Sequence, residues 1–380
     1  MATVTGHRPR ALVTGGAGLI GSHVADRLLR DGWAVRILDN LEPQTHRTGM
    51  PAWVPAQAEF LCGDIRDRAA TLAALDGVDV VFHQAAYGGY MPEMAKYMEV
   101  NAAGTAQMLE LIRDHALPIR KVIVASSQAV YAEGAATCRR HGLVFPKARP
   151  VEQLRRGDFA VHCPHCGGST VPAPMPEDAP LSGETVYAIS KVAQERLVLT
   201  WAQQTGTPAV ALRYSCTYGP RQSIFNPYTG VIAIFCTRLL TGQAPVIYED
   251  GLQTRDFCFV EDIAEANLLA ATTDRWDGVP VNLGSGTATS ITQLCMVLSD
   301  ALGIRLDPAV RGEFRPGEIR HLVADISRAR DAGYAPATEL AAGIAHYLRW
   351  IRAQADVRDY FTAAEAVLRE KGIVHRVSAA

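Results

Sequence analysis

The run VTGGAGLIG, beginning at Val13, constrains the fold of this chain more than any other stretch. It follows the apolar segment RALVT and opens GLIGSHVADRLLRDG, where Ile20, Val24 and Leu28 recur at helical spacing until Gly32. Gly15, Gly18 and Gly21 therefore stand between a strand and a helix. Glycines there permit a tight turn, close backbone approach to a pyrophosphate, and close packing of helix on strand. The helix N-terminus adds free N–H groups and the positive end of its dipole. Asp39 closes the next strand 18 residues after Gly21. A carboxylate at that place binds both ribose hydroxyls and repels a 2′-phosphate, which predicts NAD rather than NADP.

The strand-like segments RALVT, AVRILD, AEFLC, VDVVFH and RKVIVAS alternate with helical patterns over residues 10–125. Buried, non-alternating strands separated by helices predict an α/β fold with a doubly wound, Rossmann-type parallel sheet. A second helix is expected over 92–115, interrupted near Gly104. The pattern fails after Tyr131: residues 133–176 are rich in Gly, Pro, Arg, Cys and His, and so long a structureless loop is better read as an inserted module. The expected organisation is an NAD-binding domain of residues 1–132 and 177–218, the insert 133–176, and a mainly substrate-binding lobe over 219–380.

Composition narrows the partners. Apolar residues make up 48% and charged residues 20% of the 380, enough for a sizeable core. The formal net charge of -2, without a long basic run, argues against a nucleic-acid binder held by phosphate contacts. No uncharged apolar stretch of about 18 residues marks a membrane span, and the start of the chain carries no apolar signal region. A cytoplasmic location is expected. Eight cysteines in such a chain are not a disulfide framework. Cys62, Cys216, Cys236, Cys258 and Cys295 stand singly and are expected to be buried small hydrophobes.

Tyr187 and Lys191, in TVYAISK, are four apart on a helix and share a face. A free tyrosine is a poor base at neutral pH, and a neighbouring ammonium is expected to lower its pKa. VIVASSQAVY supplies Ser126 and Ser127 at the C-terminal edge of the sheet, where open α/β sheets bind ligands.

With the glycine turn, HQAA at 83–86, this Ser-Tyr-Lys set, RYSCTYGPRQ and TRDFCFVEDIAEA, the chain resembles the extended short-chain dehydrogenase/reductase family. Within it, the likeness is to NAD-dependent nucleotide-sugar epimerases and dehydratases, and it spans residues 10 to about 350 apart from the insert. The resemblance implies Tyr187 as acid/base, Ser127 beside it, and Lys191 tuning the tyrosine and holding the nicotinamide ribose. Cofactor contacts are expected at Gly15, Gly18, Leu19, Ile20, Gly21, Asp39, Asn40, Asp64, Ile65, Ala85, Ala86, Asn101 and Ser126, besides Tyr187 and Lys191. Substrate contacts are expected at Tyr87, Tyr90, Met91, Ser127, Gln128, Cys216, Arg255 and Arg315, the two arginines gripping a diphosphate.

Two departures matter. The 4,6-dehydratases of the family follow the hydroxyl residue with Asp-Glu; Gln128 and Ala129 stand here, so the elimination machinery is missing. Cys216 occupies a place where the family usually has a substrate-touching asparagine. The remaining parts imply a nucleotide-sugar epimerase that oxidises C4 and reduces it from the other face, and FNPYTGVIAIF with the Cys-containing insert resembles the dTDP-L-rhamnose 4-epimerase group. An NAD-dependent dehydrogenase or reductase, and an NAD-sensing binding protein, are the competing readings. The resemblance also implies a homodimer through the helices around 92–115 and 185–205.

The insert carries its own signal. Cys138 and His141, a 21-residue spacer, then Cys163 and Cys166 approach zinc-ribbon spacing, with His162 and His165 as alternatives to His141. Four such ligands leave no open position, so the expected zinc is structural. Two other readings of the insert are a metal-free thiol loop and a redox pair.

Overall fold

The computed structural model describes residues 8–89, 93–226 and 230–378. Seven strands, β1 (Arg10–Thr14), β2 (Ala34–Asp39), β3 (Glu59–Cys62), β4 (Val80–His83), β5 (Lys121–Ser127), β6 (Ala209–Tyr214) and β7 (Pro280–Leu283), form one sheet in the order β7-β6-β5-β4-β1-β2-β3. Every pairing in it is parallel. The order reverses between β1 and β4, and this is the switch point at which open α/β sheets bind ligands.

Successive strand residues point to opposite faces, and both faces are buried. Val13, Ile37, Phe82, Ile123 and Leu212 pack against helices α1 (Leu19–Arg30) and α5 (Val260–Thr272) through Val24, Leu28, Ile263 and Ala266. Leu12, Leu38, Val81, Val122 and Ala211 pack against the helices that cover the other face. Those are α2 (Arg68–Leu75), α3, and α4 (Val186–Thr205). α3 consists of Met94–Tyr97, a π-turn at Met98–Ala103, and Gly104–Asp114.

The expected interruption near Gly104 is a widened turn, not a break. A Cβ on Gly104 would lie 2.9 Å from Ile65 Cγ2, so the glycine serves close packing against the loop after β3. Cys236, Cys258 and Cys295 are buried as expected, but Cys62, on the edge strand β3, is exposed and Cys216 is half-buried.

Residues 219–380 do not form a single lobe. β7 completes the central sheet and α5 covers it, so both belong to the same unit as β1. Sequence periodicity assigns an apolar helix or strand to no particular partner, which is why this membership was invisible. The rest of the stretch surrounds a separate core that includes Phe235, Leu239, Leu294, Leu298, Ile344 and Tyr347.

The insert holds a three-stranded antiparallel sheet of Gly142–Val144, Ala136–Cys138 and Thr170–Pro172, with a short helix at Val151–Arg155. Its apolar centre is small: Ala136, Cys138, Val144 and Cys163. Arg149 fastens it to the rest of the chain. The guanidinium, 3% exposed, pairs with Glu133 at 3.0 Å and with Glu249 at 2.9 Å, and donates to Glu318 O at 2.8 Å. Arg320 completes the network at 2.7 Å from Glu249.

Removing one member of a buried ion network strands its partners in a low-dielectric interior, at about 3–5 kcal/mol. Arg149→Ala is therefore expected to lower unfolding stability by about that amount in urea titrations. A loss under about 1 kcal/mol, the range of a surface pair, would show that the network does not clamp the insert.

Candidate active site

A single cavity of about 1050 Å³ runs from the glycine turn past Ser127 and Tyr187 to the far side of the second core. At its first end the backbone is packed too closely for any side chain. Gly15 has φ +66°, and a Cβ there would lie 2.8 Å from Ala85 Cα; a Cβ on Gly21 would meet Gly15 O at 2.2 Å. Gly18 is the N-cap of α1 and brings no capping side chain, leaving the first-turn amides to face the cavity end. This cradle is shaped for a pyrophosphate.

Asp39, at the end of β2, accepts from Ala17 N at 3.0 Å and Leu41 N at 2.8 Å. Asn40 donates to Asp64 at 2.9 Å, and the Arg66 guanidinium beside Asp64 holds that carboxyl down to about 2. Gly15, Gly18, Leu19, Ile20, Gly21, Asp39, Asn40, Asp64, Ile65, Ala85, Ala86 and Ser126 all line the cavity.

Asn101 does not. It is buried behind the wall, accepts from Tyr87 N at 2.8 Å, and donates to Tyr87 O and to Ser190 Oγ, both at 2.9 Å. Its amide satisfies the backbone of the loop that presents Tyr87 instead of facing a ligand.

At the middle of the cavity β5 ends in Ser127, beside Tyr187 from the first turn of α4, and the Ser127 hydroxyl accepts from Ala129 N at 3.1 Å. Thr185 caps that helix by accepting from Ala188 N at 3.1 Å. Burial pushes the Tyr187 phenol up and the Ser127 hydrogen bond pulls it down. Lys191 shares the helix face, but its Nζ turns to Ala125 O and Gln194 Oε1, each at 2.8 Å, and it lies outside the cavity lining.

Beyond Ser127, Gln128 Nε2 donates to Cys216 Sγ at 3.1 Å, leaving Gln128 Oε1 buried without a partner. Tyr87 lines the same region and donates to Glu93 at 2.6 Å. Tyr90 and Met91 lie outside the described residues.

Further along, Arg255 and Arg315 converge on one carboxylate, Glu318, at 3.5 and 2.7 Å. Arg315 also lies over the Tyr248 ring, 4.8 Å from its centroid. Tyr248 packs with Val246 and Phe361, and the cavity ends against Phe361, Leu368 and Lys371. Sequence reasoning missed Glu318, Tyr248 and this C-terminal wall. Only Glu318 left a signal, three residues after Arg315 in RPGEIR.

The insert brings Cys138, His141, Cys163 and Cys166 together, with their ligand atoms all within 4.8 Å of one another. His141 Nδ1 is 3.6 Å from Cys138 Sγ and 3.4 Å from Cys163 Sγ, and the Cys138 and Cys166 sulfurs are 3.8 Å apart. Ligands about 2.3 Å from a tetrahedral ion are separated by about 3.8 Å. Cys163 and Cys166 form a tight knuckle: Gly167 N donates to Cys163 O and Cys163 N to Gly168 O, both at 2.9 Å. Of the alternative histidines, His162 is paired with Asp158 at 2.9 Å and His165 sits against the His141 ring.

Residues 11–149 and 165–284 match the model of the NAD dependent epimerase/dehydratase family. This chain belongs to that family. It is 33% identical over 358 residues to a dTDP-L-rhamnose 4-epimerase of Burkholderia thailandensis, covering 91% of this chain and 96% of that one. Among solved structures, a UDP-glucose 4-epimerase of Thermotoga maritima with UDP-glucose aligns with a TM-score of 0.74 at 28% identity, over 90% of this chain and 98% of that one. The Thermus thermophilus UDP-glucose 4-epimerase, a complex with NAD, aligns with a TM-score of 0.69 at 29% identity, over 91% of this chain and the whole of that one. The epimerase/dehydratase match skips residues 150–164, which lie inside the insert.

Proposed function

We propose that this chain is an NAD-dependent nucleotide-sugar 4-epimerase. The observation that carries the reading is the order of groups along one cavity: cradle, Ser127–Tyr187, Gln128–Cys216, Arg255–Glu318–Arg315, then Tyr248. That order suits a dinucleotide, a reacting sugar, a diphosphate and a nucleobase in turn. The fit of NAD rests on the side-chain-free cradle of Gly15 and Gly21 and on Asp39, whose carboxylate disfavours a 2′-phosphate. When bound, NAD supplies an acceptor that takes a hydride from the sugar and returns it.

Within that frame Tyr187 takes the carbinol proton and gives it back, with Ser127 orienting the hydroxyl. Arg255 and Arg315 exchange Glu318 for the substrate's phosphate oxygens, for which planar donors are suited. Neutral Gln128 and Ala129 supply neither the acid nor the base that loss of water would need. Tyr248 and Phe361 offer an apolar slot to the base. Relatives acting on dTDP- and UDP-sugars support a pyrimidine nucleotide.

Incubation with a panel of dTDP- and UDP-hexoses, read by NMR, is expected to yield a C4 epimer without net NADH. Substrate deuterated at C4 keeps its label, and Tyr187→Phe lowers kcat by about 10²–10⁴-fold while still binding NAD. Release of a keto sugar with stoichiometric NADH would make the enzyme a dehydrogenase, and washout of deuterium would rule out the C4-hydride route.

Cys138, His141, Cys163 and Cys166 are proposed to hold a structural zinc. Around these four residues the insert's apolar cluster adds only Ala136 and Val144, and a metal supplies stabilisation that so small a cluster does not. Elemental analysis is expected to find about one zinc per chain, lost in a Cys163→Ser/Cys166→Ser variant together with the order of residues 133–176. Metal-free native protein with an ordered insert overturns the assignment.

A homodimer is proposed through α3 and α4, where Met94, Met98, Ile189 and Leu197 are exposed. Light scattering at micromolar concentration is expected to give twice the chain mass, and Ile189→Asp with Leu197→Asp to give a monomer. A monomeric native protein would show that this apolar stripe pairs with no second copy.

A further inference from the structure

Lys191 is held by a chain of buried groups whose hydrogen bonds run in only one consistent direction. Its Nζ donates to Gln194 Oε1, and Gln194 Nε2 donates to Thr105 Oγ1 at 2.9 Å. Thr105 Oγ1 is 2.7 Å from Asn101 O and 2.8 Å from His83 Nε2. His83 Nδ1 is 2.7 Å from Thr14 Oγ1, which accepts from Ala85 N at 3.2 Å. Thr14, His83, Thr105 and Gln194 have no solvent exposure.

The single hydroxyl proton of Thr105 goes to Asn101 O, since a carbonyl offers no proton of its own. Thr105 Oγ1 must then accept from both other neighbours. Gln194 therefore presents its NH₂ to Thr105 and its Oε1 to Lys191, and His83 carries its proton on Nε2. Thr14 gives its proton to His83 Nδ1. Every member is satisfied with His83 neutral, and burial and the nearby Lys191 hold that imidazole down at about 3. The chain ends at Ala85, against which Gly15 of the cofactor cradle is packed.

We propose that Gln194 is the positioning residue for Lys191: its amide, oriented by Thr105 and His83, cradles the amine among neutral acceptors beneath Tyr187. This rests on the reading of Tyr187 as the proton-transfer group. With no carboxylate partner, the charge of Lys191 stays uncompensated and acts on the phenol and on whatever occupies the adjoining cradle. A glutamate at 194 would cancel it. The charged groups on the neighbouring elements are otherwise engaged. Glu195 pairs with Arg213 of β6, Lys121 of β5 with Asp277, and Lys96 and Glu99 of α3 with Glu42 and Arg66. Neutral His83 is the titratable group whose imidazole the amine depresses, and Tyr187 stands one turn before Lys191 on α4. Burial among neutral acceptors brings Lys191 down to about 7 from the usual 10.5.

The sign of the pH effect follows. Between about 7 and 10.5 the unfolded chain binds a proton that the native chain has released, so stability rises with pH across that window. The test reads Lys191 directly, by ¹³Cε NMR of lysine-labelled protein, with the signal assigned through Lys191→Met. In native protein the signal is expected to titrate near neutrality. Gln194→Glu, which pairs the ammonium, should move the midpoint up by at least one unit and carry the acid limb of kcat upward with it. Gln194→Met, of similar volume but without an acceptor, should move the midpoint down or leave it. A native midpoint at the ordinary lysine value overturns the proposal even if the variants do not fold. So does an unchanged midpoint in a folded Gln194→Glu. Because the NMR titration needs no sugar substrate, its outcome is independent of the epimerase assignment.

Discussion

The arrangement depends on one buried ion pair, Arg213 of β6 with Glu195 of α4. The two side chains are 3% and 2% exposed, and they meet through Nε at 3.0 Å as well as through Nη2. Taking such charges out of water costs several kcal/mol per ion, so the pair persists only because every remaining polar atom is used. Glu195 also accepts from Ser126 Oγ at 2.7 Å, while Arg213 donates to Tyr131 Oη at 2.7 Å and Glu177 O at 2.8 Å. One guanidinium thus fixes the helix bearing Tyr187 and Lys191, the strand end bearing Ser127, and the chain on both sides of the insert. Asn282 of β7 extends the junction through Tyr131 and Met175 O. Helix and strand cannot slide against each other without exposing a charge to the interior.

That junction explains how a 44-residue module is accommodated between Ser127 and Tyr187, which line one cavity. The insert leaves after Tyr131 and returns before Glu177, both held at Arg213, so its ends are anchored whatever lies between. Arg149 then fastens it to Glu249 and to the backbone of Glu318, next to the arginines at the far end of the cavity. The four clustered ligands lie within the module and away from the cavity lining. A metal there would shape the module and leave the reacting groups alone.

The cavity also separates two kinds of electrostatics. Beside Ser127 the cavity is lined by two neutral polar groups, Gln128 and Cys216. Farther along, Arg255, Arg315 and Glu318 form an exchangeable cluster in which the carboxylate occupies the donors that a diphosphate would take. A neutral amide and thiol at that place add no competing acid or base of their own. Fixed charges suit a dianionic linker. The division follows the order in which a nucleotide sugar would lie.

Much of this was legible in the chain. The glycine turn, Asp39, Ser127, Tyr187 and the Cys/His cluster of the insert announce themselves by local spacing, because backbone approach, helix periodicity and the spacing of clustered side chains all act over a few residues. Parallel strands buried on both faces likewise read as continuous apolar runs. What required the tertiary structure was every choice among distant partners. Lys191 shares a face with Tyr187 by spacing alone, yet the neutral acceptors Ala125 O and Gln194 decide where its amine goes. Asn101 has the right neighbours in sequence and is spent on the Tyr87 backbone. β7 and α5 carry no mark of membership in the first domain; the unfilled edge of the sheet and the apolar side of α1 recruit them. Local chemistry is written residue by residue, whereas burial and pairing depend on which groups the whole fold leaves without water.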